Sequence, residues 1–327
     1  MLNDYQSDYV TIKNSKGLEV TLSSLGAGVR SMHLHGKPLL LELKNERDYL
    51  SSDQFFGKTL GRVAGRMPSE FKLGQREFHL PGDRQGICLH GGIKEGLSFK
   101  NFQNATQERD DYVAANFHYD SPEGEAGYPG NLSLNVLYLL KLDDLEFSIL
   151  YDAYSDRDTY LSLSNHMYWN VFGSADVDDY RLQVNASRIG SFKKGTQLII
   201  GDEPVPECLD FRRMTKLKTR LDQIQKKLGE KMTLDHTYLF DEVDVKKPNV
   251  ILETEKLRIE TYTDFDAVNF YVDSSLNPWE FSNRDDLKTA PRRGIAIEPE
   301  NFPSLANIFL PAGKNYRHKM TYKLMEK

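Results

Sequence analysis

Apolar and polar positions alternate with a period of two along most of the chain. Leu18-Glu19-Val20-Thr21-Leu22 alternates residue by residue, as do 131–136 and 180–184. Further alternating or β-rich runs cover 145–151, 160–164, 249–252, 257–262, 267–272 and 316–324. Neighbouring side chains on a strand face opposite ways, so this pattern predicts strands with one covered face. Gly, Pro, Asp and Asn punctuate the runs, as strand boundaries require. The regular strand–helix alternation of a parallel α/β fold is missing. The pattern predicts an all-β fold, a large antiparallel β-sandwich with a few short helices. No linker-like stretch or internal repeat divides it, so residues 1–327 read as a single domain.

One segment switches to helical spacing. Met214, Leu217, Leu221, Ile224 and Leu228 form one apolar stripe, and Gly229 is placed to stop it. Arg212, Arg213, Lys216, Lys218, Arg220, Lys226, Lys227 and Lys231 occupy the other faces and flanks. Such a basic helix suits a nucleic acid or a membrane surface. Formal charge is −6 over the whole chain, and no nucleic-acid-binding motif accompanies the helix. The reading is therefore a solvated face on a helix packed against the sandwich, with neither nucleic acid nor membrane as partner.

Composition narrows the class further. Apolar residues make up 39% of the chain and charged residues 28%, enough for a large core under an ordinary polar surface. Two cysteines, Cys88 and Cys208, form no disulfide framework and no CxxC pair. With no basic-then-apolar leader at Met1 to Tyr5 and no run of about 20 apolar residues, the expectation is a cytoplasmic protein.

Some apparent motifs carry no chemistry. Gly57-Lys58-Thr59 imitates the end of a phosphate-binding loop, but Ser52 stands where that loop needs its first glycine. His33 and His35 are expected to share one strand face, without a third ligand nearby, and read as surface histidines. No metal site is expected.

Four other segments put polar groups in unusual settings. In Gly61-Arg62-Val63-Ala64-Gly65-Arg66, arginines stand between small residues and can reach into a cleft. Leu89-His90-Gly91-Gly92 places a histidine in a tight turn. In 162–170, strand alternation puts Ser162, Ser164, His166 and Tyr168 on one face, opposite Leu161, Leu163, Met167 and Trp169. In Gly294-Ile295-Ala296-Ile297-Glu298-Pro299-Glu300, a short apolar run ends in a carboxylate. Burial there raises its pKa towards that of a useful base, unless it is consumed in an ion pair with Arg66.

Taken in order, these segments resemble the aldose 1-epimerase (galactose mutarotase) family, over nearly the whole chain. The early Leu25-Gly26-Ala27-Gly28-Val29, Phe56-Gly57 through Arg66, Leu234-Asp235-His236 and the stretch from Glu298 to Asn307 belong to the likeness. The resemblance implies Glu298 as the general base on the anomeric hydroxyl and His166 as the general acid on the ring oxygen. It implies His90 as a second histidine near that oxygen, and Arg66 and Asp235 as groups that hold sugar hydroxyls. It also implies a large antiparallel sandwich and no cofactor. Two positions depart from the family pattern. Gly65 replaces the usual Asn before the cleft arginine, and Glu300 replaces the usual Gln two places after the base. Both fall at expected sugar contacts and bear on which sugar is preferred.

The expected reaction opens a hemiacetal ring and recloses it on the other face. Acid and base must then serve two oxygens on one carbon, so they should lie within about 8 Å of each other. The expected partner is a free hexose such as galactose or glucose, bound by a monomer or homodimer. Tyr168 or Trp169 could offer an aromatic face to the ring, but a regular strand lets only one of them do so. Rival readings are a non-catalytic sugar-binding or sugar-sensing protein, a glycoside hydrolase or lyase, and an epimerase of phosphorylated hexoses with extra cations around its cleft.

Overall fold

A computed structural model describes residues 7–83, 85–172, 174–229, 233–272, 279–282, 284, 287 and 290–327. Met1 to Tyr5 and Lys231 fall outside the described residues. Among those described, antiparallel pairing dominates. The largest sheet has nine strands in the order Gln103–Glu108, Tyr112–Ser121, Leu132–Lys141, Glu146–Ser155, Asn315–Glu326, Leu257–Thr263, Val250–Glu253, Arg181–Val184 and Thr215–Lys216. A six-stranded sheet runs Tyr168–Trp169, Ile295–Glu300, Ala267–Val272, Asp235–Leu239, Arg188–Phe192 and Ile199–Pro204. A four-stranded sheet takes in Leu18–Ser23 and Gly28–Leu34.

The predicted periodicity is visible in burial. Leu132–Lys141 buries every second side chain from Leu132 to Leu140, and Leu257–Thr263 does the same from Leu257 to Thr263. These covered faces meet the inner faces of the other sheets in one core. Trp169 of the six-stranded sheet packs on Tyr322 of the nine-stranded sheet, ring centres 5.4 Å apart. This is sheet-on-sheet packing, as the alternation predicted.

The helix forms at Leu217–Leu228, later than the stripe's first member, because Thr215–Lys216 pairs with Arg181–Val184 as a strand. Leu217, Leu221 and Ile224 are fully buried in the core. The basic residues form the expected solvated face and pair with acidic neighbours there: Lys218 reaches Asp222 and Lys227 reaches Glu207, while Lys216, just before the helix, reaches Asp179.

Two local expectations resolve differently, and a third finds its reason. His33 lies on Gly28–Leu34 and contacts Glu42 at 2.8 Å, but the strand stops before His35, which turns left-handed at φ 51°. The two histidines therefore do not share a face. The 160–164 strand is broken into Thr159–Tyr160 and Ser164–Asn165, which pair with different partners. Lys58 of the false phosphate loop is buried; its ammonium donates to the Tyr49 carbonyl at 2.6 Å and sits 3.6 Å over the Phe99 ring.

Trp169→Ala should remove the plug between the two large sheets and cost about 3–5 kcal/mol. Urea unfolding followed by circular dichroism checks this, and a loss below about 1 kcal/mol would show that other residues set the sheet spacing.

Candidate active site

Ile295–Glu300 is buried on both faces. Ile295 and Ile297 point into the main core, so strand alternation sends Ala296, Glu298 and Glu300 to the opposite side. There Glu298 reaches the wall of a cavity of about 290 Å³. That is space on the scale of one monosaccharide ring.

His166 stands on the same wall, between Ser164–Asn165 and Tyr168–Trp169. Backbone bonds clamp it on both sides: its N–H donates to the Lys58 carbonyl at 3.0 Å, and the Gly57 N–H donates to its carbonyl at 2.9 Å. The Asn165 side chain donates to the Gly57 carbonyl at 2.8 Å. Gly57 has φ +66°, and a Cβ there would lie 1.9 Å from the Val29 carbonyl oxygen, so no other residue fits this clamp.

His166 Nε2 and Glu298 Oε1 are 3.5 Å apart. The expected proximity of acid and base is thus met at contact distance; the two are neighbours rather than opposite walls. Arg66 does not consume Glu298. Its guanidinium forks onto Asp235, at 2.7 Å and 3.3 Å, and both groups line the cavity. Arg62, the other arginine of that segment, faces away and is spent on the Ser121, Pro122, Pro129 and Gly130 carbonyls.

His90 completes the histidine pair. It turns left-handed at φ 51° after Ile87–Leu89, and its ring centre is 5.6 Å from that of His166. Nδ1 of His90 accepts the Gly65 N–H at 3.2 Å, so the neutral ring carries its proton on Nε2. All five residues singled out by sequence therefore converge on one cavity. Tyr168 lines it while Trp169 lies in the core, as alternation required.

Sequence reasoning missed Phe55, Asn269, Tyr271 and Gln197 on the same walls. Phe55 stacks on His166 and meets His90 edge-on. Asn269 lies directly across from Glu298 in the strand register and donates to its Oε1 at 3.3 Å. A lone Asn inside the apolar run 267–272 was the available signal.

Burial shapes the protonation. It pushes the His166 imidazole down to about 4 and, together with the His166 and Arg66 charges, the His90 imidazole well below its usual range. It pushes the Glu298 carboxyl well up, and the neighbouring Glu300 pushes it further. Both shifts favour the neutral pair, with the shared proton on Glu298, while the site is empty. Donor atoms of His90, His166 and Glu298 all lie within 4.8 Å of one another. Ligands on one tetrahedral zinc sit only about 3.4 Å apart, so this group would have to close up to hold an ion. As spaced, it suits proton transfer.

A sandwich with a buried imidazole–carboxylate pair, beside a forked arginine in a one-sugar cavity, defines a proton-transfer enzyme for a small polyhydroxyl compound. Comparison with known proteins agrees. The family model for aldose 1-epimerase matches residues 8–323. Mouse galactose mutarotase is 28% identical over 326 residues, 94% of this chain and 92% of its own. Escherichia coli aldose 1-epimerase is also 28% identical, covering 97% and 94%. The crystal structure of galactose 1-epimerase from Lactobacillus acidophilus superposes with a TM-score of 0.85, at 25% identity, covering 99% and 96%. The chain belongs to the aldose 1-epimerase family, and its activity is that of an isomerase.

Because the folded pKa of His166 is lowered, the folded state binds fewer protons than the unfolded chain between about pH 4 and pH 6.5. Stability tied to the neutral ring is therefore lost as pH falls through that window. Relative to His166→Asn, the native chain should lose about 2 kcal/mol between about pH 7.5 and pH 5. Urea unfolding of both at the two pH values measures this, and a constant gap would refute the burial effect.

Proposed function

We propose that the chain interconverts the α and β anomers of a free hexose, with Glu298 as base and His166 as acid. The observation that carries this reading is the 3.5 Å contact of those two buried groups at the cavity wall. Opening of the ring needs the O1 proton removed and a proton delivered to O5. Glu298, as carboxylate, takes the first; His166, as imidazolium, gives the second, and the C1–O5 bond breaks to an aldehyde. Rotation about C1–C2 presents the other face of the carbonyl. On closure O5 attacks C1, His166 takes back the O5 proton, and Glu298 returns its proton to O1.

Proton counting explains why burial does not defeat the pair. The imidazolium–carboxylate state opens the ring, and the neutral state closes it. Both hold one proton between the two residues, so each half-reaction hands on the protonation state that the other needs. Burial favours the neutral state in the empty site, and sugar hydroxyls that donate to Glu298 shift the balance back on binding.

Arg66 and Asp235 supply donors and acceptors for the sugar hydroxyls, and the fork between them fixes their geometry. His90, with its proton on Nε2, is a further donor towards the ring-oxygen side. Tyr168 lies 4.7 Å from His166, centre to centre, and offers an apolar face. Among the described residues lining the cavity, Arg66 is the one permanent cation, and it is already paired. That favours a free hexose over a phosphorylated one. Two buried free thiols, Cys88 and Cys208, favour a reducing compartment, and we infer a cytoplasmic working place. No described helix is long and apolar enough to cross a membrane.

Polarimetry of freshly dissolved α-D-glucose or α-D-galactose tests the reading. Glu298→Gln and His166→Asn should each lower kcat by about 10²- to 10⁴-fold with KM changed only a few-fold. Near-normal turnover in Glu298→Gln would remove that residue from the base role. Sugar binding without any acceleration by the native chain would instead make it a binding protein. Tyr168→Ala should raise KM, and an unchanged KM would remove the ring from sugar contact.

A further inference from the structure

The two positions that depart from the family pattern meet in space. Gly65 has φ +72°, and a Cβ built on it would lie 3.1 Å from Oε2 and 3.3 Å from Oε1 of Glu300. A side chain at 65 and the carboxyl at 300 compete for one volume, and the glycine concedes it. Glu300 shares a strand face with Glu298, is fully buried, and stands behind the cavity wall rather than on it.

An unbroken chain of contacts joins the two carboxyls. The Thr237 hydroxyl is 3.3 Å from Glu300 Oε1 and 3.2 Å from Asn269 Oδ1. Asn269 Nδ2 then donates to Glu298 Oε1 at 3.3 Å. The path crosses three adjacent strands, Ile295–Glu300, Asp235–Leu239 and Ala267–Val272.

Donor counting fixes its direction. An amide NH₂ only donates, so Asn269 turns it to Glu298 and its oxygen to Thr237. Thr237 has one hydroxyl hydrogen, and Asn269 Oδ1 requires it. An ionised Glu300 would demand the same hydrogen, leaving two buried acceptors to share one donor. A protonated Glu300 removes the conflict: its O–H donates to the Thr237 oxygen, and every link then has one donor and one acceptor. Oε2 of Glu300 has no partner among the described residues, a further cost if it carried charge.

Charged groups around Glu300 pull both ways, Arg66 down and Asp266 and Asp235 up, and burial outweighs them. Glu298 on its own strand, Asp235 and Asp266 are acidic neighbours; Arg66 is the cation, and it is forked onto Asp235; Tyr316 is a buried phenol. Burial holds the Glu300 carboxyl up at about 8.

We propose that Glu300 is a positioning residue, a neutral carboxylic acid at pH 7 that heads a one-way hydrogen-bond chain through Thr237 and Asn269 onto Glu298. The chain fixes the orientation of the base, and Gly65 supplies the room. This rests on the assignment of Glu298 as base. When Glu300 ionises at alkaline pH, Thr237 is drawn away from Asn269 and a second negative charge arises beside Glu298, so turnover declines.

Polarimetric pH profiles of four variants test it, with a chelator present throughout. Glu300→Gln is neutral at every pH and its NH₂ donates to Thr237. It should stay within about threefold of native kcat at pH 7 and lose the alkaline decline. Glu300→Met keeps the length without a donor and should lower kcat about tenfold with KM within about twofold. Thr237→Val should do the same, and the Thr237→Val/Glu300→Met double variant should be no worse than either single one. Infrared pH-difference spectra give a readout free of turnover: the protonated-carboxyl band at pH 7 should shrink in Glu300→Gln, where only Glu298 still contributes, and its Glu300 component should persist in Glu298→Gln. Native kcat in Glu300→Met, an unchanged alkaline limb in Glu300→Gln, or a band indifferent to residue 300 would each overturn the proposal. An active Glu298→Gln that keeps the band would instead sink the base assignment and leave Glu300 neutral.

Discussion

A carboxyl group held out of water beside an imidazole is the constraint around which this molecule is arranged. Glu298 is fully buried, and the imidazole beside it, His166, is nearly so. In water the carboxyl would be ionised at pH 7 and the imidazole would lie close to its own titration point. Here burial pushes the carboxyl up and the imidazole down, so the one proton they share rests on Glu298 until a bound sugar shifts the balance. That balance is useful only if the geometry is rigid, and most of the surrounding structure supplies rigidity.

Rigidity comes from several directions. Ile297 and Ile295 anchor the base's strand in the core, while Asn269 in the next strand donates to its carboxylate. Gly57 and Lys58 grip the His166 backbone on both sides, and Phe55 stacks on its ring. Arg66 and Asp235 hold each other, so the guanidinium is not drawn onto the base. Such mutual satisfaction keeps hydroxyl-binding groups in place before a ligand arrives, which lowers the ordering cost of binding.

The sandwich was legible because alternation is a direct record of which face is covered. The runs at 257–262, 267–272 and 316–324 became strands at nearly those limits. Glu298 and His166 were legible as exceptions to that record: one ends a short apolar run, the other lies on the face opposite the apolar side chains, and the family resemblance gave both their roles. The helix was legible in its stripe but not in its start, because pairing of Thr215–Lys216 with a distant strand overrode local spacing. His35 was misplaced because a turn ended the strand one residue earlier than its pattern. Phe55 could not be read at all, since its place depends on a left-handed backbone after a short helix. Nor could the fit of Gly65 against Glu300, which exists only once remote segments are packed.

The place of Asn315–Glu326 in the largest sheet has a consequence for how the chain is made. This late strand lies between Glu146–Ser155 and Leu257–Thr263, and the two halves of the nine-stranded sheet join only through it. A nascent chain leaving the ribosome therefore carries two unjoined half-sheets with open edges until this strand emerges. Those edges are ready templates for wrong pairing. Closure of the sheet, and with it the framing of the pocket, then waits for one ribbon that zips two earlier halves together.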